Sequence, residues 1–278
     1  MLDHGLWGGA LLTFEDEDAD RGQAAFTRTG LALYDVLILG ALCPWVWRCP
    51  NERILTAYRQ HLSDNHLEVG VGTGYFLDHA RFSNASPRVA LLDLNVHCLA
   101  RTARRIARYH PEVYRADVLQ PIVLDMRRFD SIALNYVVHC LPASWPQKGA
   151  VFAHLKSFLN PGGTLFGATL VQGDVPQSAA AAALMRWFNA RGTLHNRADT
   201  RSRLVEGLEQ HLDEVRVEQV GCVALFSGRA RACNDAQFPQ QVALAAPPVE
   251  VCAPVWSTLS VAHCVSLAWV PMAVAVIR

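Results

Sequence analysis

The chain has no surplus of charge: across 278 residues, 25 Lys and Arg balance 25 Asp and Glu. Non-specific binding of nucleic acid draws on a basic surface that neutralises phosphates. A balanced chain is therefore expected to take a small-molecule partner, with no nucleic acid. The eight cysteines include no C-x-x-C pair and no Cys/His spacing of the zinc type, so no metal is expected. Met1-Leu2-Asp3-His4-Gly5 has neither the basic stretch nor the apolar run of a secretory signal. The cysteines are accordingly read as reduced and the protein as cytoplasmic. Long apolar runs are scarce. Leu259–Ile277 approaches membrane-spanning length, but it carries His263 and Pro271 and falls at the low end of the roughly 20 residues a span needs. No membrane span is expected.

Apolar residues make up 51% of the chain, enough to bury a sizeable core. Residues 15–20 (Glu-Asp-Glu-Asp-Ala-Asp) are an acidic run, read as part of a flexible, solvated N-terminus over 1–23. Residues 24–65 read as N-terminal helices, the second started by Pro50 and carrying Ile54, Leu55, Tyr58 and Leu62 at helical spacing. Residues 230–278 form an atypical tail: Lys and Arg are missing between Ala232 and Ile277, and prolines recur at 239, 247, 248, 254 and 271.

Between them, residues 66–229 alternate short apolar runs with amphipathic stretches. Strands are predicted at 67–70, 88–93, 112–116, 131–137 and 164–171. Helices are predicted at 96–109, 151–159 and 178–190, with a further one capped by Asp199 or Thr200. This alternation predicts an α/β fold, with a parallel sheet covered by helices on both faces. The last two runs, within 213–228, lie too close together for a parallel crossover and are predicted to pair antiparallel.

The sharpest motif is Glu68-Val69-Gly70-Val71-Gly72-Thr73-Gly74, at the end of the first of these strands. Glycines at alternate positions allow a tight turn and close approach of a ligand to the backbone. The dinucleotide fingerprint G-x-G-x-x-G is excluded, because Tyr75 stands where its third glycine belongs. A phosphate-binding P-loop is excluded by the lack of G-K-[ST]. Asp93, ending Val89-Ala90-Leu91-Leu92-Asp93, lies one β-α-β step onward. Its carboxylate can accept hydrogen bonds from both hydroxyls of a ribose, or merely end the strand or cap the helix that follows. Asp117, after the third strand, is either a ligand acceptor or a turn residue.

In order along the chain, the glycine loop, Asp93, Ala116-Asp117-Val118, the run Phe129 to Pro142 and Pro161-Gly162-Gly163 resemble the landmarks of class I S-adenosylmethionine-dependent methyltransferases. The resemblance covers roughly residues 24–229. It implies a Rossmann-like fold: a central, mostly parallel seven-stranded sheet with an antiparallel final strand, under an N-terminal helical lid. It implies S-adenosyl-L-methionine as cofactor, with Glu68, Gly70, Gly72 and Gly74 around its methionine and ribose parts. Asp93 and Leu94 would then meet the ribose, Asp117 and Val118 the adenine, and Asn135 the neighbourhood of the sulfonium. Tyr34-Asp35 and Trp47-Arg48-Cys49-Pro50 resemble the N-terminal region of microbial small-molecule methyltransferases in secondary metabolism, which implies Tyr34 near the methionine end. Packing alone also accounts for Trp45 and Trp47. The motif N-P-P-[YF] of many nucleic-acid methyltransferases is missing.

His139 is the candidate general base, since imidazole can take a proton near neutrality; a structural role at this strand-to-loop junction is the alternative. His195 and Asn196 are candidate substrate contacts, or turn residues. Arg101, Arg104, Arg105 and Arg108 share a helical face, either as a solvated surface or as an RNA-binding patch. An RNA or protein methyltransferase, or a non-catalytic partner subunit of the same fold, are the alternative functions.

Overall fold

A computed structural model describes residues 35–124 and 126–231. The acidic segment 1–23, Tyr34 and residues 232–278, with Leu259–Ile277 among them, lie outside the described residues. Seven strands form one sheet: β1 (Asn65–Val69), β2 (Arg88–Asp93), β3 (Glu112–Arg115), β4 (Phe129–Asn135), β5 (Leu159–Leu170), β6 (Asp213–Val220) and β7 (Val223–Arg229). Their order is β3-β2-β1-β4-β5-β7-β6. The pairs β1·β2, β1·β4, β2·β3 and β4·β5 are parallel, while β7 runs antiparallel to both β5 and β6. This is the mostly parallel sheet with an antiparallel ending that the sequence predicts. Strand order reverses between β1 and β4, and at such a switch point the carboxyl ends of the strands open a crevice.

Both faces of the sheet are covered. Leu91 of β2, Ala133 of β4 and Phe166 of β5 belong to one buried cluster, together with Ile54 and Tyr58 of α2 (Asn51–His61). Their strand neighbours Leu92, Ile132, Leu134 and Leu165 face the other way, onto Phe152 of α5 and Leu204 of α7. The remaining helices are α1 (Asp35–Val46), α3 (Tyr75–His79), α4 (Val96–Arg105), α5 (Trp145–Lys156), α6 (Ala179–Ala190) and α7 (Arg201–Glu209). Successive side chains of a strand point to opposite faces, so strands buried on both sides read as continuous apolar runs.

Some boundaries differ from the sequence reading. The helix after Asp93 stops at Arg105 and continues as a short 3-10 turn, Ala107–Tyr109. The helix placed at 151–159 begins earlier, at Trp145, where Ser144 and Gln147 form a capping box and Pro146 occupies the first turn. Asn160-Pro161-Gly162-Gly163 does not end that helix. It is an irregularity inside β5, whose register with β4 jumps between Phe129↔Leu159 and Ser131↔Thr164. Gly162, at φ +75°, lets the chain make that excursion. At the N-terminal side, α1 is wound in π geometry around Pro44. Trp47 is buried, but Trp45 is 80% exposed, so packing accounts for Trp47 alone. The Trp47 carbonyl accepts the Cys222 amide at the β6–β7 turn.

Candidate active site

A cavity of about 570 Å³ crosses the carboxyl ends of β3, β2, β1 and β4. The lining residues include Glu68, Gly70, Gly72, Gly74, Asp93, Leu94, Asp117, Val118 and Asn135. Every described residue predicted to contact the cofactor is therefore brought to one place.

The glycine loop owes its shape to three left-handed residues, Gly70 (φ +66°), Gly72 (φ +51°) and Gly74 (φ +74°). They serve different ends. A Cβ on Gly70 would come within 2.1 Å of Val137 Cγ2, and one on Gly74 within 2.8 Å of Thr102 Cγ2. Those two glycines let the loop press against its neighbours. A Cβ on Gly72 would meet nothing within 4 Å. Among the described residues, Gly72 thus lines the cavity with no atom against its open side, a cradle that a ligand can fill.

Asp93 ends β2 and accepts the Asn95 amide at 2.8 Å. Burial pushes its carboxyl up from the ordinary range, against the pull of the backbone N–H groups of Asn95, Val71, Gly72 and Leu94. Asn95 in turn caps α4 through the His97 and Cys98 amides, so Asp93 is not the capping residue. Asp117 accepts the Leu119 amide at 2.9 Å, which fixes the turn after β3. Glu68, 5% exposed, takes the Tyr58 hydroxyl at 2.7 and 2.8 Å on its two oxygens, and His66 Nε2 at 3.1 Å. Asn135 ends β4; its Nδ2 donates to Tyr58 Oη at 3.2 Å, while its Oδ1 is buried with no partner among the described residues. Tyr136, next in the chain, sits at φ +58°, a conformation costly for a bulky side chain. Three carboxyl groups face the cavity, and its described lining residues include no His, Lys or Arg.

The structure takes His139, His195 and Asn196 elsewhere. His139 is buried and does not line the cavity. Its Nδ1 accepts the Leu170 amide at 3.1 Å and lies 3.1 Å from Thr169 Oγ1, so the neutral ring carries its proton on Nε2. Burial, reinforced by the Lys148 charge, pushes the imidazole down to about 3. A base needs an accessible lone pair; here the Nδ1 lone pair is taken by the Leu170 amide, which counts against that role for His139. Asn196 is fully buried with its amide engaged: Oδ1 accepts from Gln172 and Asn189 at 2.8 Å each, and Nδ2 donates to the Leu170 carbonyl at 3.4 Å. His195 donates its amide to the His139 carbonyl at 2.8 Å, and its own carbonyl accepts Lys148 Nζ at 2.8 Å. Neither residue lines the cavity.

Sequence reasoning missed Lys148 and Asp199. They form a buried ion pair with N–O distances of 2.7 and 3.0 Å. Burial pushes the lysine down and the aspartate up, opposed in each case by the partner's charge. Thr200, not Asp199, caps α7. At the end of α4, Arg105 pairs with Asp35 at 2.7 Å and Asp78 at 3.0 Å, and Arg108, in the 3-10 turn that follows, pairs with Asp78 at 2.7 Å. Asp35 also accepts the Thr73 hydroxyl, which ties the start of α1 to the glycine loop.

Comparison with known proteins agrees with this geometry. A family profile described as a methyltransferase domain matches residues 67–165. The chain is 38% identical over 211 residues to the demethylluteothin O-methyltransferase of Streptomyces thioluteus, covering 76% of this chain and 92% of that protein. It is 35% identical over 222 residues to the methyltransferase ctvB of Aspergillus terreus, covering 78% and 97% respectively. Among solved structures, the DhpI–SAH complex superposes with a TM-score of 0.55 at 16% identity, over 78% of this chain and 97% of that one, which speaks to the fold. The chain belongs to the class I S-adenosylmethionine-dependent methyltransferases and is an enzyme of that chemistry. Among the described residues, no helix is long and apolar enough to cross a membrane.

Proposed function

We propose that this enzyme methylates an oxygen of a small, largely apolar molecule whose hydroxyl is itself acidic, such as a phenol or an enol. The observation that carries this reading is the cavity wall: carboxylates at the ends of β1 and β2 and after β3, an open glycine cradle, and no imidazole or amine among the described lining residues. The residues present fit S-adenosylmethionine. Asp93 is placed to accept the two ribose hydroxyls, with Leu94 beside it. Asp117 and the Val118 amide lie one strand further out, suited to the adenine. Glu68 and Asn135 offer acceptors for the ammonium group of the amino-acid end, and Gly72 leaves room between. When bound, the cofactor supplies an electrophilic methyl, and the rest is the work of position and water exclusion.

Tyr75, Phe76, Tyr136, Cys140, Leu141 and Pro142 line the same cavity and give it apolar and aromatic surface for a small acceptor. Burial pushes the Cys140 thiol up to about 12, so it stays protonated and does not compete as a nucleophile. With His139 withdrawn, a substrate that ionises by itself needs no protein base. The demethylluteothin relative is named as an O-methyltransferase, which supports oxygen over nitrogen or carbon. Arg105 and Arg108 are engaged by Asp35 and Asp78, which favours the solvated-surface reading of that helical face over an RNA patch.

Titration calorimetry with Asp93→Ala tests the cofactor assignment. Two charge-assisted hydrogen bonds correspond to a roughly hundredfold loss of S-adenosylmethionine affinity. Unchanged affinity would sink the role of Asp93; a wild-type enzyme that binds no cofactor would sink the whole assignment. A panel of phenols of graded acidity tests the substrate class. The pH at which the rate rises is expected to track each phenol's own ionisation. A rise fixed near pH 6.5 for every substrate would instead point to an enzyme imidazole.

A further inference from the structure

A chain of hydrogen bonds runs beneath the cavity from the far end of the sheet. Ser131 Oγ, on β4, lies 2.9 Å from Ser63 Oγ and 2.8 Å from His66 Nδ1. His66 Nε2 reaches Glu68 Oε2 at 3.1 Å, Glu68 takes the Tyr58 hydroxyl, and Tyr58 Oη takes Asn135 Nδ2. Ser131, His66 and Tyr58 have no measurable exposure, and none of them lines the cavity. Glu68 and Asn135 both line it.

The chemistry of the groups gives the chain one direction. A carboxylate only accepts, and a phenol has a single proton. Tyr58 Oη lies within 2.8 Å of both Glu68 oxygens, so its proton goes to Glu68. Burial and the facing carboxylate hold the phenol well above its ordinary range, which keeps that proton in place. The Tyr58 oxygen is then left only to accept, and the group it accepts from must be the amide nitrogen of Asn135. The Asn135 side chain is thereby held one way round, with Oδ1 as the atom whose hydrogen-bonding capacity is unspent. Asn135 on β4 lies across β1, which carries Glu68, from Asp93 on β2.

We propose that Tyr58 is a positioning residue that holds Glu68 and Asn135 together as acceptors for the ammonium group at the amino-acid end of the cofactor. This rests on the cofactor placement proposed above. Tyr58 touches neither the reacting atoms nor the cavity; it acts through the two residues it joins. Its ring is independently fixed, edge-on to Phe166 at 5.2 Å and stacked on Phe76 at 6.4 Å. Tyr58→Phe therefore removes the hydroxyl and keeps the ring packing.

The test compares two ligands on the purified full chain. S-adenosylhomocysteine has the amino-acid end; 5′-methylthioadenosine has the same nucleoside and thioether without it. Tyr58→Phe is expected to weaken S-adenosylhomocysteine about tenfold and methylthioadenosine less than twofold, with circular dichroism unchanged. Equal losses for the two ligands, or no loss for either, overturn the inference while leaving the cofactor assignment standing. Wild-type protein that binds neither ligand overturns both. Should Tyr58→Phe not fold, Asn135→Ala carries the test, because Asn135 is the group Tyr58 orients. It must show the same selective loss, and equal losses again overturn the inference.

Discussion

Two buried polar regions flank the middle of the sheet, and they differ in what their hydrogen-bonding groups have left to give. At the strand ends around the glycine loop, Asn135 Oδ1 has no partner and Gly72 has open space beside it among the described residues. Around the end of β5, His139 Nδ1, the Asn196 amide and the Lys148–Asp199 pair are all engaged, by nearby backbone, by the Gln172 and Asn189 side chains or by one another. The two regions carry similar residue types. A satisfied buried network specifies the fold; a buried acceptor left over in a cavity wall points to a ligand. His139 and His195-Asn196 resemble active-site residues by type and position, yet they lie in the engaged region and do not line the cavity.

Substitutions can break this comparison, and the largest effect is expected at the ion pair. Lys148→Met leaves Asp199 buried without its partner, which costs about 3–5 kcal/mol. Urea denaturation is expected to show that loss, while the folded fraction keeps its cofactor affinity within about twofold. If affinity fell as far as stability, the two regions would not be separable.

The glycine loop holds a smaller version of the same contrast. In Gly70→Ala the new methyl collides with Val137, so overpacking of about 1–3 kcal/mol adds to the left-handed strain. In Gly72→Ala there is only the strain, about 1–2 kcal/mol, but the methyl enters the cavity. Thermal melts are expected to rank Gly70→Ala below Gly72→Ala. Direct binding is expected to show the selective loss of affinity, roughly tenfold, at Gly72.

His139 gives a pH signature. Its folded-state pKa lies below that of the unfolded chain, so the unfolded state takes up the proton first as pH falls. Its contribution is complete above about pH 6.5 and is lost between there and about 3. The slope is at most about 1.4 kcal/mol per pH unit. Denaturation midpoints of wild type and His139→Gln are expected to differ in this slope, with no change in the pH profile of methyl transfer. A shifted rate profile would return His139 to the mechanism. The smallest effect belongs to Asp35→Ala. Its half-buried pair with Arg105 contributes below about 1 kcal/mol. Loss of the Thr73 contact is expected to loosen the glycine loop, read as a roughly threefold weaker cofactor affinity.

Much of this was legible in the sequence for identifiable reasons. The strands at 88–93 and 213–228, and the reversal of the last pair, follow from apolar runs and short connections, which are local properties. The glycine spacing and Asp93 are legible because a backbone turn and a strand end fix them within one β-α-β unit. What escaped needed distant partners. Lys148 and Asp199 are 51 residues apart, and nothing near either one indicates burial. Tyr58 reads as an ordinary apolar position of α2 until β1 and β4 bring Glu68 and Asn135 to its hydroxyl. His139 is misleading because its type and its place after β4 suit a base, whereas the Leu170 amide that occupies its lone pair comes from another strand.

The cavity wall, with its three carboxyl groups and no cation among its described residues, also bears on turnover. S-adenosylmethionine carries one more positive charge than the S-adenosylhomocysteine left after transfer, so with the cofactor seated as proposed above the wall is expected to favour the donor over the spent product. That preference is Coulombic and is weakened by salt. Product inhibition is therefore expected to be mildest at low ionic strength and to deepen as salt is added.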